Sequence, residues 1–462
     1  MLKITFILST FLLTTVQAYA IGGHWLRHSI PNSEQLQLIW KASTYDPITK
    51  VMELQSLGVG IPTISGATTR YCLDGETNYY VLVSSTNPCW KKARYNSGVA
   101  YADGTGGNLL NPTPTLVIEK SRTNLILYSN AIASGFAAGI WSSPNTPPLS
   151  DTAVGLTGEP NTASFVSDDS AGATEGPRTT IYKDISELDT VIRFFVQRQD
   201  ELVGVPIEVP GNDYPQFYMA SNNSAGRGAS VILNPINGDH LDSGTGGTVS
   251  VSFVPPDDWE VILYTRDQWN SPYYAVWIKP AVGYDWPPNP ITGATGRITV
   301  RNVEGYNGVT IDDIKGTSPI FTVDTPVTVS SGSIVYNSGN ISDDSGLITF
   351  SASTKTANNF LSTFLGHDGS NSLINDGTTS DTISMPVATM ADIGGWWDTS
   401  SNEMGICLNG TCNTAVPYDG TLLNGALDLV RTPASTVEIV NIKGYRGGNK
   451  VTYQAKAIQD TQ

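Results

Sequence analysis

Paired carboxylates come first, because sugar hydrolysis needs one carboxyl as acid and another as nucleophile or base. Asp168-Asp169, Asp257-Asp258 and Asp312-Asp313 are adjacent pairs, and neighbours on a strand face opposite sides, so none of these pairs converges on one bond. The sequence has no GxSxG elbow, no phosphate-binding glycine loop and no HExxH helix. His367-Asp368-Gly369 reads as a polar turn. No enzyme is expected. Residues suited to binding are clearer. Trp269-Asn270-Ser271-Pro272-Tyr273-Tyr274 and Tyr284-Asp285-Trp286-Pro287-Pro288-Asn289 combine aromatic rings with amide and carboxylate groups. Rings stack on the C–H faces of a sugar and the polar groups meet its hydroxyls. Trp269, Asn270, Tyr273, Tyr284, Asp285 and Trp286 are therefore the candidate ligand contacts. Trp259, Tyr264 and Trp277 stand among apolar neighbours and read as core. Glu304, Asp312 and Asp313 are oxygen donors of the kind that hold a structural calcium. No Asp-x-Asp-x-Asp loop accompanies them, so the metal ligands stay undefined and no other cofactor is expected.

The elements that must carry these residues are β-strands. Gly 45, Pro 27 and only 15% charged residues in 462 describe turn-punctuated β structure of roughly two to four domains. The formal net charge of -16 argues against nucleic-acid binding, which needs a basic stripe to neutralise phosphates. At the N-terminus, Lys3 precedes an apolar run from Ile4 to Val16, and Ala18-Tyr19-Ala20 is a cleavage pattern. Residues 1–20 are read as a secretory signal peptide cut after Ala20. No later stretch reaches the ~20 apolar residues of a membrane helix. Four cysteines form two local pairs, Cys72 with Cys89 and Cys407 with Cys412. Of three connectivities, local pairing is favoured, because the pairs fall in different expected domains and an exported protein meets an oxidising compartment.

Taken in order, 21–66 offers a helical or mixed segment at Asn32–Ala42 and two short strands. Strand candidates then crowd the middle: Ala163–Val166, Thr179–Tyr182, Val191–Gln197, Val203–Val209, Ala229–Leu233, Val249–Phe253, Glu260–Thr265, Tyr273–Ile278 and Gly296–Val303. Their even spacing suits a jelly roll. Later, Asn409-Gly410 between Cys407 and Cys412 centres a hairpin.

Leu116–Ser129 reads LVIEKSRTNLILYS, with a polar centre between two apolar runs. Through Glu119, Arg122, Thr123, Asn124, Leu125 and Ser129 it resembles a segment "EpaRTNLlxxS" of bacteriophage tail fibre and head-spike proteins, which precedes a β-sandwich of the carbohydrate-binding-module type. The run ATTRYCLDG from Ala67 looks like the connector of the same proteins, and Ile232–Gly238 and Asp257-Asp258-Trp259 resemble elements of the sandwich. GICLNGT, LDLVRTP and VEIVNIKGYRGG near the end are similar to concanavalin A-like, laminin-G-type modules. The resemblance implies a mainly β, multi-domain chain: an N-terminal attachment region over 21–66, a small β connector over 67–129, a jelly-roll carbohydrate-binding-like domain over 130–327 and a concanavalin A-like lectin domain over 328–462. It implies a non-catalytic adhesion protein of the virion surface, binding a cell-surface polysaccharide or glycan beside other virion proteins, and a homotrimer as fibres commonly are. The signal peptide leaves an exported or surface-displayed bacterial lectin as an alternative, and a purely structural fibre subunit is a third. Arg122 and Asn124 are expected to be buried or half-buried and to hydrogen-bond the backbone where connector and sandwich meet, with Glu119 as the partner of Arg122.

Overall fold

The computed structural model describes residues 36–41, 63–101, 115–143, 149–167, 176–182, 189–199, 215–221, 227–243, 245–266, 271–280, 297–336, 345–354, 365–367, 371–375, 379–384, 391–398, 400–418, 427–430 and 437–446. The signal segment 1–20 and the strand expected at Val203–Val209 lie outside them. The chain is mainly β. Leu36–Lys41, within the segment read as helical or mixed, is a strand. Leu38-Ile39-Trp40 is a short apolar run with no period of its own, and the partner that fixes it as a strand is remote, Val437–Arg446.

The middle of the chain is a jelly roll. Four ladders nest inside one another: Ala163–Ser167 with Arg297–Asn307, Arg178–Tyr182 with Tyr273–Lys279, Asp189–Gln197 with Asp258–Arg266, and Gln216–Ser221 with Arg227–Leu233. Such nesting is a long hairpin rolled so that alternate ladders fall in opposite sheets. Eleven strands take part. One layer runs Leu149–Ala153, Ala163–Ser167, Arg297–Asn307, Asp189–Gln197, Asp258–Arg266, Thr245–Val254; the other runs Arg178–Tyr182, Tyr273–Lys279, Gln216–Ser221, Arg227–Leu233, His240–Ser243. A short parallel pairing of Arg227-Gly228 with Thr245-Gly246 joins the layers at one side. Phe194, Val261, Leu263 and Val300 from the first layer pack on Phe217, Val231, Val276 and Ile278 from the second. Trp141 closes one end of this core, its indole N–H donating to Leu127 O at 3.0 Å. The two sandwich segments that carried the resemblance touch: Trp259 donates to Pro235 O at 2.8 Å, and Gly238, at φ +80°, leaves no room for a Cβ against its ring.

A second sheet gathers strands from both sides of the jelly roll. Cys89–Lys91 and Thr115–Ile118 join Val437–Arg446, Ser345–Thr354, Ala391–Asp398 and Glu403–Leu408 in one ladder series. Thr63–Ser65 likewise pairs with Ser333–Tyr336. Strands of 67–129 thus share a sheet with strands beyond 328, and the jelly roll is inserted between them in sequence. The inserted unit hangs on a neck in which Arg122–Asn124 pairs with Val327–Val329. Both disulfides form, Cys72 with Cys89 and Cys407 with Cys412. The second bridges the hairpin at Asn409-Gly410, whose φ values of 47° and 85° suit a turn that needs two left-handed residues.

Candidate functional site

The two layers of the jelly roll treat their outward faces differently. In the first, Asp189–Gln197 and Arg297–Asn307 are buried on both faces. Outward from Asp189–Gln197 point Val191, Arg193 and Phe195, with Glu260, Glu304 and Tyr306 beside them. Arg193 is fully buried and donates to Glu304 Oε2 at 2.6 Å, to Glu260 Oε1 at 3.2 Å and to the carbonyls of Ile314, Thr317 and Ser318 at 3.0 Å. The neck residues end in the same network. Arg122, buried, donates to Glu119 Oε2 at 2.9 Å and to Ser318 O. Asn124 donates to Ile320 O at 2.9 Å and accepts from the amides of Ile126 and Gly305. Alternate amides of one covering segment satisfy the carboxylates: Gly316 on Glu260, Ser318 on Glu119, Ile320 on Glu304. Burial alone would push the Arg193 guanidinium down, yet Glu304, Tyr306 and Glu260 hold it above its ordinary value. This face is a fastening.

Glu304 spends its oxygens on Arg193, Tyr306, Asn302 and Ile320. Asp313 caps the short helix Ile311–Ile314 from within and meets Lys120 at 3.2 Å, while Asp312 is exposed. The three residues considered for calcium do not converge. Among the described residues no group of three or more His, Cys, Asp or Glu does.

The second layer alternates strictly. Along Tyr273–Lys279, Tyr274, Val276 and Ile278 are buried, while Tyr273, Ala275, Trp277 and Lys279 are partly exposed. Trp277, read as core, therefore belongs to the outward face; its apolar neighbours Val276 and Ile278 point the other way. Cross-strand register sorts the outward residues into rows. Arg178, Trp277 and Tyr218 form one, Thr180, Ala275, Ala220 and Gly228 the next, and Tyr182 with Tyr273 the third. In the first, the Tyr218 and Trp277 rings lie 5.2 Å apart at 35°, and the Trp277 indole donates to Gly176 O at 3.1 Å. In the third, Tyr182 and Tyr273 rings lie 5.9 Å apart, and Tyr182 is 73% exposed. Between these ridges, about 13 Å apart along the strands, lies a floor of small side chains. Gly228 keeps its end of the floor flat, for at φ +152° a Cβ would meet Met219 O at 1.9 Å.

Cations border the Trp277 ridge. Lys279 Nζ lies 4.9 Å from the Trp277 ring centre and 5.3 Å from that of Tyr218, and Arg178 Cζ lies 5.8 Å from Trp277. Burial against the rings lowers the Lys279 pKa and raises the Tyr218 phenol to about 12. Of the six residues expected to meet ligand, Tyr273 is on this face, whereas Trp269, Asn270, Tyr284, Asp285 and Trp286 lie outside the described residues. Trp277, Tyr218, Tyr182, Arg178 and Lys279 were missed by reading loops alone. The period-two placement of Tyr273, Ala275, Trp277 and Lys279 is the signal that identifies them.

No family model matches the sequence, and no curated protein does. Among solved structures, domains LG4-5 of the mouse laminin alpha1 chain align over 64% of this chain and 84% of that one, at 7% identity and a TM-score of 0.15. That is a slight likeness, and it has no weight in the reading of the site.

Proposed function

We propose that this is a non-catalytic adhesion protein that binds a cell-surface glycan on the outward face of the shorter jelly-roll layer. The observation that carries this reading is the trough itself, a floor of Thr180, Ala275, Ala220 and Gly228 between the ridges Trp277–Tyr218 and Tyr182–Tyr273. Aromatic walls offer apolar surface to sugar C–H groups, while phenol, hydroxyl, ammonium and guanidinium groups meet its oxygens. A flat floor admits an extended chain without a cavity having to open.

The neck around Arg122 and Asn124, together with the resemblance of LVIEKSRTNLILYS to phage connectors, supports a tail-fibre or head-spike component. The second sheet is then its concanavalin A-like lectin module. The segment Met1–Ala20 favours a second reading, an exported bacterial lectin with the same binding face. Mass spectrometry of purified virions separates the two, since the chain is present in particles under the first and absent under the second. A glycan array probed with the whole protein and with Trp277→Ala tests the shared core of both. Binding by the wild type that the variant loses is expected, and equal signals from the two would overturn this placement of the site.

A further inference from the structure

Among the described residues, two cations stand on the trough without an opposite charge. Arg178 and Lys279 have no carboxylate within ion-pair distance among the described residues, whereas Arg122, Arg193 and Arg301 each face a buried acid. Arg178 is steadied through Nε on Ser142 Oγ at 3.3 Å. That leaves the paired Nη groups of its guanidinium for an incoming oxyanion, the geometry that suits a carboxylate. Lys279 lies two residues from Trp277 on the same strand and opposite Gln216 on the next, so the cations flank the ring on two sides. Among the described residues, the Tyr182–Tyr273 ridge has tyrosines alone in its row. The trough is thus polarised, charged along one wall and neutral along the other.

This local charge runs against the molecule. With a formal net charge of -16 the protein as a whole repels polyanions. Two unneutralised cations on an aromatic wall therefore select for an anion rather than add to a general basic surface. We infer that the ligand of the trough is an acidic polysaccharide, whose sugar ring lies against the aromatic walls while its carboxylate is held between Arg178 and Lys279. The inference rests on the glycan-binding reading above and names the class of sugar.

The test uses the whole protein against polygalacturonate, alginate and hyaluronan, against the same polymers with their carboxyls reduced to primary alcohols, and against dextran sulfate. Binding is measured by biolayer interferometry at low and high salt. At least one acidic polymer should bind, its reduced form should bind at least tenfold more weakly, and added salt should weaken the acidic form alone. Arg178→Gln and Lys279→Gln should each cost at least fivefold on the acidic polymer and less than twofold on the reduced one, where only hydrogen bonds to hydroxyls are lost, with an unchanged melting temperature showing that both variants fold. Equal binding of acidic and reduced forms, with both variants unaffected, would overturn the acidic preference and leave the glycan reading standing. Dextran sulfate binding as well as every carboxylated polymer would show an unselective polyanion surface and also overturn it. Failure of all polymers, together with a blank glycan array, would remove both readings.

Discussion

Outward from the strand Asp189–Gln197 stand Val191, Arg193 and Phe195; outward from Tyr273–Lys279 stand Tyr273, Ala275, Trp277 and Lys279. Both faces mix charge with aromatic rings. On the first, each charge meets an opposite charge or a backbone group, and the segment 316–320 covers the charges while Tyr80 and Leu156 pack with Phe195. On the second, the cations meet only rings and one hydroxyl among the described residues. What separates a fastening from a binding face is therefore the accounting of partners. Breaking a fully paired buried ion costs stability, whereas removing an unpaired exposed one costs the molecule little and its ligand much.

The largest effect should come from Arg193→Met, which leaves Glu260 and Glu304 buried without their guanidinium. A loss of about 3–5 kcal/mol is expected from chemical denaturation, and a smaller change would mean that the covering segment relaxes to solvate the acids. Next is Asp258, buried and paired with Arg301 at 3.0 Å, with a pKa pushed up to about 6, above all by burial. A raised folded pKa contributes stability that is complete below pH ~4 and lost as pH rises through about 6. Asp258→Asn should consequently gain on the wild type between those limits, by on the order of 3 kcal/mol. Denaturation curves at pH 4 and pH 7.5 read this directly, and a constant difference between the two proteins would contradict it. On the proposed binding face, Ala275→Trp should fill the trough and lower glycan affinity more than tenfold, while stability moves by less than ~1 kcal/mol, as at a partly exposed site. Tyr182→Ala should cost a few-fold in affinity only, roughly 1 kcal/mol for one exposed ring. A stability loss in either variant would show that this face, too, is structural.

Much of the architecture was legible. The β-branched and aromatic runs marked eight of the jelly-roll strands, and Asn409-Gly410 marked its hairpin. Gln216–Ser221 was not found, because FYMAS is short and lies between polar segments that resemble loop. Trp277 was misread for a different reason: on a strand of mixed apolar residues, local composition does not say which face is inward, and only the register with Arg178 and Tyr218 decides it. The ion network was out of reach as well. Arg193 and Glu304 are 111 residues apart, and nothing near either one announces the other. The neck was better served, since Glu119 and Arg122 are three apart and their pairing can be read locally.

The inserted jelly roll has a consequence for how the chain is made. Every ladder of the sandwich is complete once the ribosome has released the strand Arg297–Asn307, and its covering segment follows within a few residues. The second sheet must wait much longer, because Leu36–Lys41 and one edge of Thr115–Ile118 pair with Val437–Arg446, which is made well after the sandwich. Domains that emerge first fold first. The nascent protein should therefore present a finished jelly roll, trough included, while the second sheet is still open, with its early strands exposed and in need of protection until Val437–Arg446 arrives.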